Sequence, residues 1–349
     1  MPALPKLSYV LLSHNREKYV RAAVESALAQ DYEGELEYIF SDDCSTDRTF
    51  GIIKECVAAY KGNRRVVVTQ PPANLKTAGN FNHAVSFAQG DWIIRADDDD
   101  ISAIDRCTAI GKVVSSTPGC TYVATESSYF FQDDEEAAAM QASRIPCAQG
   151  MHPRMVDIRT MSPGQCSFLS SEYSFKAWNM ACFRTFGDIP ETAYLADDYI
   201  LYFRASVLGK GVLVDNANAV LVRNNSLHQS IGSDNKNEGY RDIMRRERLF
   251  DEYQNSTAAP MRQTYADLLD YARRMPQDEQ PAVLAFLADM QEKIRVTETL
   301  RSYWRKGTIN RVRIARKLGM TRPYDMLRCL PMPVFAALST IFRKIHKKR

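Results

Sequence analysis

Apolar and polar positions alternate along the first hundred residues as repeated strand, loop and helix units. Leu7 to Leu12 is a short apolar run ended by the polar cluster Ser13-His14-Asn15-Arg16. Glu17 to Ala29 then carries Val20, Ala23, Val24, Ala27 and Leu28 at helical spacing. A second strand over Leu36 to Phe40 stops at Ser41-Asp42-Asp43-Cys44-Ser45-Thr46-Asp47, whose side-chain oxygens can cap a helix from about Arg48 to Tyr60. Val66 to Val68 predicts a third strand, and Asn74 to Gln89 a loop and helix closed by Gly90. The next apolar run, Trp92-Ile93-Ile94, leads into four consecutive carboxylates, Asp97 to Asp100. Such alternation predicts an α/β fold, an open and mostly parallel sheet with flanking helices, in which the polar strand ends share one ligand-binding edge.

Further along, Ile104 to Ser115 reads as a helix and Cys120 to Thr125 as a strand. Gln132 to Pro163 reads as an excursion over the site, and Val212 to Val222 as the last apolar strand. From about Asn235 the pattern turns helical, with segments at Tyr240 to Tyr253, Tyr265 to Met275 and Val283 to Val296. The predicted organisation is an α/β domain over residues 1–235, a helical extension over 236–300, and a basic tail over 301–349.

Charge sharpens the last boundary. The 349-residue chain has a net charge of +3, yet residues 301–349 hold 14 Lys and Arg against the single acid Asp325, a net of +13 that leaves −10 for the rest. After Pro331-Met332-Pro333, Val334, Phe335, Leu338, Ile341, Phe342 and Ile345 form one helical stripe beside Arg343, Lys344, His346, Lys347, Lys348 and Arg349. A basic amphipathic helix of this kind suits an anionic cytoplasmic leaflet, or packs on the protein's own body. No nucleic-acid module accompanies it. The eight cysteines lack CxxC pairs, and the five histidines form no HxxxH or HExxH pair, against a zinc site or disulfide framework. With no signal-peptide pattern and no apolar run of membrane-spanning length, the expected location is the cytoplasm, peripheral on the inner face of the cell membrane.

Four adjacent carboxylates repel one another and call for a counter-charge, and hard oxygen donors favour Mg²⁺ or Mn²⁺. There is no GxGxxG or Walker pattern. The motifs in order resemble the family 2 inverting glycosyltransferases of the GT-A fold. Leu12-Ser13-His14-Asn15-Arg16 is similar to the first-strand motif, and Asp42 to Asp47 to "DDGSTD" with Cys44 for Gly. Asn74 and Asn82 match the family's asparagines, with Lys76 for a Gly and Phe81 for an Arg. Asp97 to Ile101 is similar to "DxDD", and Asp197-Asp198-Tyr199 with Arg204 to "EDYxLxxR".

The resemblance implies transfer of a sugar from a nucleotide-sugar donor to an acceptor hydroxyl on a glycan or lipid-linked acceptor, in bacterial surface polysaccharide synthesis. It places Asp42 at the nucleotide base, Ser13 and Asn15 in the base and ribose pocket, Asn82 on the donor side or in a buried turn hydrogen bond, Asp97 or Asp98 at the ribose, and Asp99 on Mn²⁺ or Mg²⁺. Asp198 becomes the general base that accepts the hydroxyl proton. Its burial would raise its pKa, while a bound cation and diphosphate also act on it. Asp197 fits the N-terminal charge of a helix. Trp178 is a sugar-stacking or core residue, and Arg223 and His228 are candidates for the departing diphosphate. Two alternatives stand beside this reading. A nucleotidyltransferase should have a Gly- and Lys/Arg-rich first loop, which Ser13 to Arg16 is not. A non-catalytic peripheral membrane scaffold is favoured by Cys44, Lys76 and Phe81 and opposed by Asp99 and Asp198. Sugar, base, linkage and oligomeric state are not encoded in any pattern of this kind.

Overall fold

A computed structural model describes residues 3–125, 128–130, 139–140, 142–144, 151–158, 175–193, 197–215, 219–223, 240–320 and 326–346. The chain divides into two compact units, Met1–His228 with Asp267–Leu287, and Gln229–Ala266 with Ala288–Arg349.

The first unit opens with β1 (Leu7–Ser13), α1 (Val20–Leu28), β2 (Leu36–Asp42), α2 (Thr49–Ala59), β3 (Val66–Thr69), α3 (Lys76–Val85) and β4 (Trp92–Asp97). There follow β5 (Ile101–Ser102), α4 (Arg106–Ser116), β6 (Cys120–Thr125), β7 (Ser128–Phe130), β8 (His152–Val156) and β9 (Phe175–Asn179). Next come α5 (Ala181–Phe186), α6 (Asp197–Leu208), β10 (Lys210–Asp215) and β11 (Val220–Arg223). Eight strands form one sheet in the order β3-β2-β1-β4-β9-β6-β10-β8, and β5-β11-β7 form a small second sheet. The first four strands are parallel, as the alternating pattern predicts. β9 runs antiparallel to both its neighbours, β4 and β6.

Both faces of this sheet are covered, so β1 and β2 are buried at every position. On one face Tyr9, Leu11, Phe40 and Ile94 meet Val20, Val24, Ile53 and Ile110 from the helices; each fully buried large side chain contributes about 1.5–3 kcal/mol. Gly90 is required where β4 begins, since a Cβ there would lie 2.7 Å from the Ser8 backbone nitrogen. Among the described cysteines five are buried and Cys44 is partly exposed, and none of the six is in a disulfide. Burial pushes Cys107, Cys120 and Cys182 up to about 12, the behaviour of inert core thiols. Cys147 and Cys166 lie outside the described residues.

Three expectations change. The single strand read over Val212 to Val222 is two, β10 and β11, in different sheets. The segments at 240–253 and 265–275 belong to one helix, α7 (Tyr240–Arg273), which passes through Pro260. α8 (Gln280–Leu300) extends beyond the predicted 283–296. In the second unit, α9 (Thr308–Lys317) and α10 (Met332–His346) follow. The stripe read on α10 divides: Phe335 and Ala336 are buried in a cluster with Ile243, Met244, Trp304 and Leu327, while Val334 and Leu338 are 45% and 38% exposed. Among the described residues no helix is long and apolar enough to cross a membrane. Most of Gln132 to Pro163 and all of 224–239, including His228, lie outside the described residues.

Candidate active site

The parallel register sets the site. Ser13 pairs with Asp42, and Leu12 with Asp97, so the carboxyl ends of β1, β2 and β4 come to one edge. There β4 gives way to the turn Asp98-Asp99-Asp100 before β5, which pairs with β11 of the small sheet. The four carboxylates divide their work. Asp97 is 46% exposed and lies 3.5 Å from Arg95. Asp98 accepts the His14 N–H at 2.8 Å, tying the β1–α1 loop to the turn. Asp100 accepts the Arg223 N–H at 2.9 Å. Burial, then the neighbouring Asp99 carboxylate, pushes both Asp98 and Asp100 well above the usual carboxylate range.

Arg16 answers part of that charge, its Nε lying 3.6 Å from Asp98 and 3.7 Å from Asp99. Among the described residues no three His, Cys, Asp or Glu side chains converge on one point. Asp98 and Asp99 would therefore supply only part of a coordination shell. Their hard oxygens fit Mg²⁺ or Mn²⁺ with water and phosphate completing it.

On the β1–β2 side of the edge, Asp42 is fully buried and accepts hydrogen bonds from the Ser45 N–H (2.9 Å), Ser45 Oγ (2.5 Å), Gln70 Nε2 (2.8 Å) and Ser13 Oγ (3.3 Å). It organises its loop. Asp47 accepts from Thr49 N–H and Glu17 N–H, the loop and capping role. Asn15 is exposed, its side-chain oxygen accepting the Thr46 N–H at 2.8 Å. The two positions where the resemblance expects glycine both keep left-handed backbone: Cys44 at φ 55° and Lys76 at φ 63°. The loop shape thus survives loss of the residue that adopts it at least cost.

The opposite side of the edge is built by α6. Asp197 is 8% exposed and receives Arg95 Nη1 at 2.5 Å; Asp198 is 38% exposed and lies 3.2 Å from the same nitrogen. Lys176 Nζ, 6% exposed at the start of β9, is 3.2 Å from the other Asp198 oxygen. Burial alone would raise the pKa of Asp198, but Lys176 and then Arg95 outweigh it and hold the carboxyl below its ordinary range. Asp197, where burial wins over Arg95 and the neighbouring Asp198 adds to it, is pushed up to about 6.

Several expected roles are corrected by this geometry. Trp178 is fully buried against Tyr122, ring centroids 5.8 Å apart, so its ring is a core element and is not available to a sugar. Asn82 spends its amide on Ile189, donating to the carbonyl at 2.7 Å and accepting the N–H at 2.9 Å; it clamps α3 to the 186–190 segment. Arg223 is 1% exposed beneath the tetrad, its Nε donating to the Asp99 carbonyl at 3.1 Å and its guanidinium 4.4 Å from the Tyr19 ring centroid. Through these contacts it braces the turn. His228 lies outside the described residues.

Arg95, Lys176 and Arg16 are the charged groups that sequence reasoning passed over. The available signal was a cation inside or heading an apolar strand, since Arg and Lys are almost never buried unless paired. Phe81, where the resemblance expects Arg, lies under Arg95, whose guanidinium is 5.5 Å from the ring centroid.

Residues 8–170 match the model of the family described as Glycosyl transferase family 2. The chain is 39% identical over 98 residues to the putative glycosyltransferase EpsE of Bacillus subtilis, covering 28% of this chain and 34% of that protein. It is 32% identical over 97 residues to the poly(ribitol-phosphate) beta-N-acetylglucosaminyltransferase TarS of Staphylococcus aureus, covering 27% of this chain and 16% of TarS. The chain therefore spans about a third or less of the length of these relatives. The structure of S. aureus TarS 1-349 in complex with UDP-GlcNAc aligns over 97% of this chain and 92% of that one, with a TM-score of 0.51 and 14% identity, a likeness of fold. The mostly parallel sheet with its flanking helices is thus of the GT-A type.

Proposed function

We propose, from the match of residues 8–170 to Glycosyl transferase family 2, that this protein is an inverting glycosyltransferase that moves a sugar from a nucleotide-sugar donor to an acceptor hydroxyl. The observation that carries the reading is the pairing of a buried acidic turn, Asp98 to Asp100, with a partly exposed Asp198 held by Lys176 across one sheet edge. In this reading Asp198 accepts the proton of the acceptor hydroxyl as that oxygen bonds to the anomeric carbon. The bond from that carbon to the diphosphate breaks, and its electron pair leaves with the nucleotide. At 38% exposure Asp198 can return the proton to water.

Asp99, with Asp98, would hold Mg²⁺ or Mn²⁺; when bound, such a cation supplies charge neutralisation for the leaving diphosphate. Arg16 stands beside the same carboxylates and is placed to follow charge as it develops there. Asp97, the exposed member of the tetrad, is the one free to meet a ribose hydroxyl. Ser13 and Asn15 border the base and ribose side. The left-handed Cys44 and Lys76 support a working donor loop over a scaffold that has lost turnover.

The acceptor belongs in this reading to a surface glycan, lipid-linked and assembled at the inner face of the membrane. The second unit supports that location: Val334 and Leu338 are exposed on α10, and Ile309, 72% exposed, shares α9 with exposed Arg313, Arg316 and Lys317.

The test has two parts. A thermal-shift panel of UDP-, GDP-, dTDP- and CMP-sugars, beginning with UDP-GlcNAc and run with and without Mn²⁺, should give a metal-dependent rise with one donor class. Asp198→Asn should then bind that donor as the native protein does while losing transfer by at least about a hundredfold. Near-normal turnover in this variant would place the base elsewhere.

A further inference from the structure

We infer that Lys176 is a positioning residue for the general base, fixing the direction of the Asp198 carboxylate and keeping it ready to accept a proton. The inference rests on the transferase reading above and deepens it. β9 runs antiparallel to β4, with Ala177 opposite Ile94, so Lys176 and Arg95 are the next positions along two adjacent strands. Both cations thereby reach α6 from the sheet.

The two oxygens of Asp198 are held separately: Oδ1 lies 3.2 Å from Arg95 Nη1 and Oδ2 lies 3.2 Å from Lys176 Nζ. A carboxylate gripped at both oxygens is held in one orientation, and at 38% exposure this one is still reached by solvent. The charged groups facing it are Lys176 from β9, Arg95 from β4 and Asp197 from α6, with Asp97 of β4 on the far side of Arg95.

Arg95 is divided among three carboxylates, whereas among the described residues the salt bridge of Lys176 is to Asp198 alone. Its ammonium is buried and lies 5.9 Å from the Trp178 ring centroid. Taking a lysine out of water to make one ion pair roughly breaks even in stability. The arrangement is therefore better explained by what it does to Asp198 than by what it adds to the fold. The buried Trp178 then has a use beyond filling space, because it walls the apolar side of the ammonium.

The test is the pH dependence of transfer by Lys176→Met and Lys176→Arg beside the native enzyme, with donor affinity and melting temperature measured for each. Losing the ammonium should raise the pKa at which the base protonates. The acid limb of kcat/KM should move up by about 1–3 pH units in Lys176→Met, costing about tenfold or more on the native acid limb and almost nothing at pH 8. Donor Kd should stay within about twofold. Lys176→Arg, which keeps the charge, should return the limb to its native position.

A uniform fall in kcat with the limb unmoved, in both variants, would reduce Lys176 to a structural part and overturn the inference. If Lys176→Met does not fold, Lys176→Gln decides: a raised limb supports the inference and an unmoved limb overturns it. Failure of the transferase reading is seen separately, as full turnover by Asp198→Asn.

Discussion

Arg95 meets three carboxylates, and its removal has a calculable signature. Its guanidinium is buried among Asp97, Asp197 and Asp198. Arg95→Met leaves Asp197, 8% exposed, without the cation 2.5 Å away. The folded-state pKa of Asp197 already stands at about 6, raised by burial and restrained by Arg95. Loss of an opposite charge at this distance should raise it by about a further 1–3 units, or about 1.4–4 kcal/mol.

The sign follows from linkage. A carboxyl whose folded pKa exceeds its unfolded value binds the proton more tightly when folded, so stability falls as pH rises toward that folded pKa. Native protein and variant should therefore differ little through this group below pH 6, where both keep Asp197 protonated. The difference should open above pH 6, be clear at pH 8, and reach its full size once the pH passes the variant's own folded pKa, about 7–9. Asp198 retains Lys176, and its own change falls at lower pH, where its depressed pKa lies.

Urea unfolding followed by tryptophan fluorescence measures this, in a Trp304→Phe background so that Trp92 and Trp178, both in the first unit, report. The double variant Arg95→Met with Asp197→Asn should recover most of the loss at pH 8. An equal penalty at pH 5 and pH 8, or additive single effects, would refute the reasoning.

Two further expectations are simpler. Lys76→Gly removes a side chain from an exposed residue at φ 63° and should stabilise the first unit by about 0.5–1 kcal/mol, the relief of left-handed strain less the added freedom of the unfolded chain; a lower urea midpoint would contradict it. Val334→Glu with Leu338→Glu should leave the melting temperature unchanged and lower sedimentation with anionic liposomes severalfold, whereas equal sedimentation would argue against the membrane face.

The early half of the fold was legible because each strand is an apolar run with a polar stop, followed by a helix of clear period. β8 and β9 were not, since antiparallel insertion is a non-local choice and Phe175-Lys176-Ala177-Trp178-Asn179 carries no period that announces it. The long α7 was read as two pieces because Pro260 interrupts it. Its buried positions there, Thr257, Ala258, Met261 and Thr264, are mostly small or polar, so an apolar stripe cannot be traced through them. At the site, the aspartates declared themselves by number and placement. Their division of labour did not, because whether a carboxylate braces a turn or faces solvent depends on which backbone N–H comes to it, as His14 comes to Asp98 and Arg223 to Asp100. Asn82 and Trp178 show the same limit: residue types suited to binding were claimed by packing.

The reversed strand β9 has a consequence for how such a protein could diversify. A parallel strand delivers its last residues to the ligand edge, after the sheet has already aligned them. β9 delivers its first, so Lys176 enters the edge directly from the chain that precedes it. The connection before β9 can lengthen, shorten or change character, while pairing with β4 and β6 resets the register each time. In the reading proposed above, one half of the edge, on β1, β2 and β4, would hold the donor, and a change in the residues that enter β9 would act first on the other half, at Lys176.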